Sequence, residues 1–104
     1  MATLYITEFG NIWRQSGLPG DIGQIALQPP LAEQTVSLSG SSAQSSAFNS
    51  KTQFVRLHTD AICSIEFGTN PTATTAKARM AANQTEYFAV DAGTSMIVAG
   101  ITNT

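Results

Sequence analysis

The chain has 104 residues, 42% of them hydrophobic and only 12% charged, and its formal net charge of −2 leaves no basic field to collect nucleic-acid phosphates. One small domain with a single core fits this length, and two independent domains are excluded. Soluble domains carry about 25% charged residues, so a surface built with half that number must be covered by neutral polar side chains, and 13 Thr, 10 Ser, 7 Gln and 5 Asn supply them.

The lone cysteine, Cys63, excludes a disulfide-stapled scaffold and is read as a sign of folding in a reducing cytoplasm. Met1–Ile6 has no basic segment leading into a long apolar run, so it does not read as a secretory signal. Apolar stretches such as Met96–Ala99 fall far short of the roughly 20 residues that span a bilayer. The expectation is a soluble protein made in the cytoplasm, with no membrane contact.

Alternation of period two begins at once, with Leu4 and Ile6 on one face and Tyr5 and Thr7 on the other, and predicts a strand over Ala2–Phe9. From Gly10 to about residue 32 the pattern gives way to Gly and Pro among scattered apolar residues. That is a long loop or arm, well beyond the usual 4–6 residues of a connection. Alternation resumes at Glu33–Ser39, and Ser39–Ser46 reads as a flexible turn of small polar residues. Phe54–His58 and Ala61–Phe67 read as a hairpin around a Thr59–Asp60 turn. Ala and Lys around Thr75–Ala82 favour a short helix by propensity. Thr85–Val90 and Ser95–Ile101 read as two last strands joined by a hairpin loop at Asp91–Thr94. The sum is one all-β domain spanning 1–104, a small antiparallel β-sandwich or jelly-roll-like barrel with one long N-terminal arm.

No residue set points to a reaction. His58 and Cys63 would approach each other across the predicted hairpin as a nucleophilic pair, but no second His or Cys completes a metal cluster, and Cys is commonly a buried small hydrophobe. The seven carboxylates include Glu66 and Glu86, whose placement on neighbouring strands would suit a glycosidase pair; solvated strand-face carboxylates are the simpler reading. Neither a phosphate loop nor a serine elbow is present. Catalysis, cofactors and metals are therefore not expected. Aromatics such as Tyr87 would stack on sugars if exposed, which gives a carbohydrate-binding sandwich as one alternative. Within the arm, Trp13 beside Arg14 combines two residue types enriched at interface hot spots.

The run Phe54–Gly68, then Asn70-Pro71-Thr72-Ala73-Thr74, then Glu86-Tyr87-Phe88 and Ile97-Val98-Ala99, resembles small structural proteins of tailed bacteriophages. The resemblance covers roughly the C-terminal half, together with the Ala2–Phe9 strand and Leu31–Gln34. It implies a head decoration or cement protein on the outside of a capsid lattice, with the major capsid protein and neighbouring copies as partners and a trimer as the natural oligomer. A tail or fibre component is the alternative within the same class. On this expectation Trp13, Arg14, Leu18, Ile22 and Ile25 form the contact with capsid or subunit.

Overall fold

The computed structural model describes residues 2–10, 12–13, 25–26 and 28–103. Strand β1 (Ala2–Phe9) is followed by two short strands, β2 (Ile12–Trp13) and β3 (Ile25–Ala26), which pair with each other as a ribbon within the arm. Then come β4 (Ala32–Leu38), β5 (Ala43–Gln44), β6 (Phe54–Thr59), β7 (Cys63–Gly68), β8 (Ala78–Met80), β9 (Thr85–Ala89) and β10 (Ile97–Thr102). Two antiparallel four-stranded sheets result, ordered β4-β1-β6-β9 and β5-β10-β7-β8. The all-β expectation holds, and the barrel alternative does not, because the two sheets remain separate. Among the described residues no helix is long and apolar enough to cross a membrane.

Alternation explains the core. Leu4 and Ile6 of β1, Val36 and Leu38 of β4, and Val55 and Leu57 of β6 share the inner face of the first sheet. They meet Cys63, Ile65, Met80 and Val98 of the second sheet in one buried cluster. Gly100 lies opposite Ile65 in this layer, and a Cβ there would sit 2.6 Å from Leu38 Cδ2. The sheets approach too closely at that point for a side chain. Gly100→Val is therefore expected to cost about 1–3 kcal/mol through overpacking, read as a lower denaturant midpoint with an unchanged slope.

Four local expectations change. The predicted β6–β7 hairpin is absent: β6 pairs with β1 and β9, whereas β7 pairs with β10 and β8 in the other sheet. Asp60 does turn the chain, but it turns it across the sandwich, and its carboxylate accepts the Thr3 N–H at 2.6 Å. Similarly, Asp91–Thr94 carries the chain from β9 to β10 in the opposite sheet rather than closing a hairpin. Around Thr75–Ala82 there is no helix. A turn closed by Lys77 N–H to Thr74 O leads into β8, where Met80 is buried opposite Cys63. An eight-residue helix nucleates poorly alone, and strand pairing that buries Met80 overrides the propensity. Within the expected Ser39–Ser46 turn, Ala43 and Gln44 form β5 against β10.

Candidate interaction surface

The outer faces of the two sheets differ. Ser64 and Ala99 point outward from the second sheet, yet both are fully buried. Residues 69–77, between β7 and β8, run across this face as a strap that carries the buried Ala73. The strap is fastened by Ser42 Oγ accepting the Ala73 N–H at 2.8 Å, and by Gln44 Nε2 donating to Pro71 O at 2.8 Å and Asn70 Oδ1 at 2.9 Å. Asn103 Nδ2 donates to Thr75 O at 3.2 Å. Lys77 also meets Glu66 at 2.9 Å, but both side chains are more than a third exposed, so solvent screening leaves this pair worth under about 1 kcal/mol.

Among the described residues no strap crosses the first sheet in this way, although Phe9 at the end of its outer face is only 2% exposed. Register sets its outer face in rows: Thr35, Tyr5, His58 and Thr85 in one, and Glu33, Thr7, Arg56 and Tyr87 in the next. Phe9 and Phe54 continue the face toward the arm, stacked at 5.1 Å, and Tyr87 lies 6.5 Å beyond Phe54. Tyr5 and Tyr87 are 45% and 57% exposed, and Leu31 at the foot of β4 is 39% exposed. These are the exposed large hydrophobic residues among those described, and the two tyrosines share one sheet face. His58 is held in this face by a 2.8 Å hydrogen bond between Nδ1 and Thr85 Oγ1, with its ring 6.2 Å from that of Tyr5.

This placement dissolves both reactive pairs considered from sequence. His58 lies on the outside of the first sheet, and Cys63 lies in the core on the second. Burial pushes the Cys63 thiol above its ordinary pKa, an effect partly offset by a hydrogen bond with Thr59. Because the thiolate is the nucleophile, Cys63 is expected to resist a disulfide reagent in the native protein and to react only as fast as the chain opens. Labelling at the rate of a free thiol would contradict its placement. Glu66 and Glu86 also lie on different sheets, the first paired with Lys77 and the second accepting from Gln84 Nε2.

Glu8 is the carboxylate that departs from the solvated reading. It shares the inward parity of Leu4 and Ile6, and it is 1% exposed. One oxygen accepts the Asn49 N–H at 2.7 Å and the Thr52 hydroxyl at 2.8 Å, while the other accepts Gln34 Nε2 at 3.1 Å. An open cleft of about 330 Å³ lies beside it, between β4 and residues 46–49. With its oxygens occupied by three donors, Glu8 acts as a latch joining β1, β4 and the β5–β6 connection. No group of three or more metal-ligating side chains occurs among the described residues.

The sequence-predicted arm is seen at its base. The backbones of Trp13 and Ile25 face each other in the β2–β3 ribbon, whereas Arg14, Leu18 and Ile22 lie outside the described residues. On either side of the arm the ladder is continuous: β1 and β4 pair from Ala2–Leu38 to Glu8–Ala32, and Leu31 N–H then donates to Glu8 O. The arm is thus inserted where two antiparallel neighbours would otherwise need only a short turn. The chain matches no protein-family model, no curated protein and no solved structure.

Proposed function

We propose that this chain is a non-catalytic structural protein of a virion, which binds the outside of a capsid lattice and stabilises it as a decoration or cement protein. The observation that carries this reading is the arm inserted between β1 and β4, whose ladder is already complete on both sides of it. A long loop in a compact domain is usually either functional or a disordered linker, and the apolar residues of this one favour function. Its sequence combines Trp13 and Arg14 with Leu18, Ile22 and Ile25, the composition of an anchor that buries apolar area against another subunit. The weakly charged surface, with 35 Ser, Thr, Gln and Asn residues in the chain, suits close contact between neutral protein surfaces.

In this reading the major capsid protein and neighbouring copies of the chain are the partners. Repetition over a lattice converts modest single-site affinity into stable occupancy, and binding only to the assembled shell stabilises that shell by mass action. A trimer at local three-fold axes is the expected arrangement. Purified protein added to shells assembled without it should co-sediment and saturate at a fixed ratio to the major capsid protein. Failure to co-sediment at any concentration would overturn the proposal.

A further inference from the structure

The outer face of the first sheet around Tyr5 and Tyr87, 45% and 57% exposed, is a second candidate surface beside the arm. We infer that it binds a neutral, extended β-1,4-linked oligosaccharide, with Tyr5 and Tyr87 as stacking platforms and Arg56 and His58 as hydrogen-bonding groups between them. This inference rests on the geometry of the face and does not depend on the capsid reading.

Three observations support it. The first is spacing. Tyr5 is level with His58, and Tyr87 is level with Arg56 and Thr7, so the tyrosines stand two strands apart and two residues along. Strand spacing and rise put their Cα atoms about 12 Å apart on a diagonal. One sugar unit of an extended β-linked chain advances by about the separation of neighbouring strands. Two units therefore cover about 10 Å, and side chains rooted about 12 Å apart reach units i and i+2 of one chain by leaning slightly toward each other.

The second is the alternation of chemistry along that diagonal. On the line from Tyr5 to Tyr87 the two exposed rings are separated by Arg56 and His58, while Phe54 beside Tyr87 lengthens the aromatic platform at that end. Sugar recognition needs this mixture, an aromatic face under the C–H side of the ring and polar groups reaching its hydroxyls. The neighbours Thr7, Thr35 and Thr85 are short, so the tyrosines stand proud of the sheet. The third is charge. On this face Arg56 and Glu33 stand in the same row with opposite charges, and the Lys77–Glu66 pair lies on the opposite face of the sandwich. A near-neutral face favours a neutral glycan over a polyanion.

The test is titration calorimetry of the full chain with cellohexaose, N-acetyl-chitohexaose and maltohexaose. At least one of the two β-1,4-linked hexamers should bind, and maltohexaose, whose α-linked chain curves away from the diagonal, should bind more weakly. Tyr5→Ala and Tyr87→Ala should each weaken binding at least about tenfold, and Tyr5→Phe and Tyr87→Phe should retain it. Both positions are exposed, so thermal melts should show all four variants folded. Absence of binding by both β-linked hexamers at millimolar concentration would overturn the inference, as would binding that survives both alanine substitutions. So would loss of shell co-sedimentation in Tyr5→Ala or Tyr87→Ala, which would make the face a protein-docking surface. Failure of the wild-type chain to bind shells would remove the capsid reading and leave the glycan result standing.

Discussion

Replacing Glu8 by Ala is expected to cost about 3 kcal/mol of stability, the largest single-residue effect anticipated outside the hydrophobic core. The carboxylate is fully enclosed and receives three hydrogen bonds. Removing it leaves the Asn49 N–H and the Thr52 hydroxyl without their acceptor; Thr52 is itself 1% exposed, so that loss is not recovered from bulk water. Gln34 loses less, because its amide also donates to Ser46 O and can turn to solvent. For a domain of this size a loss of that order lowers Tm by roughly 10–20 °C. Glu8→Gln keeps one acceptor oxygen but turns an amide N–H toward donors, and its Tm should fall between those of the wild type and Glu8→Ala. A shift of only a degree or two in Glu8→Ala would mean that the latch contributes nothing net.

Deleting Asn11–Gln28 is expected to abolish attachment to the capsid while leaving a folded sandwich. The deleted segment contains the whole proposed anchor, so co-sedimentation with shells should fall to background. The ladder beside it supports survival of the core. β1 pairs with β4 along its length and with β6 on its other side, and the buried cluster joins β1, β4, β6, β7, β8 and β10. Circular dichroism should retain its β signature with a cooperative melt. Wild-type occupancy of shells by this variant would sink the assignment of the arm as the anchor.

The sequence made the strands legible and hid how they pair. β1 runs over Ala2–Phe9 as its alternation indicates, and Val36 and Leu38 are buried where the period puts them. Strong turn residues at Thr59–Asp60 and Asp91–Thr94 were equally plain. A turn residue, however, reports that the chain reverses, and not whether it returns within its own sheet or crosses to the facing one. In a sandwich both outcomes bury the same alternating face, so local pattern cannot separate them. The partners that decide the matter are remote: Thr59 O accepts Asn83 N–H, and Asp60 reaches back to Thr3.

The same reasoning explains the helix expected at Thr75–Ala82. Its alanines look like helix formers in isolation, but Ala73 nearby is small because the strap must lie close over a sheet, and Met80 is apolar because it fills the core. The Glu8 latch was readable in principle, since a carboxylate in phase with Leu4 and Ile6 must either be buried with partners or break the strand. What could not be read was the supply of donors from Gln34, Asn49 and Thr52, which converge on Glu8 only through the fold. The face that carries the exposed tyrosines was hidden for a related reason. Tyr5 and Tyr87 lie 82 positions apart in the chain and share a surface only because β6 stands between β1 and β9.

The central claim is that the inserted arm, and not the strapped sheet, makes the contact with the capsid. Hydrogen exchange measured on the free chain and on the chain attached to shells tests it directly. Protection gained on attachment should concentrate in residues 10–31, with the strap at 69–77 unchanged. Protection confined to the strap or to the β8 and β9 edges, with none gained in the arm, would contradict it.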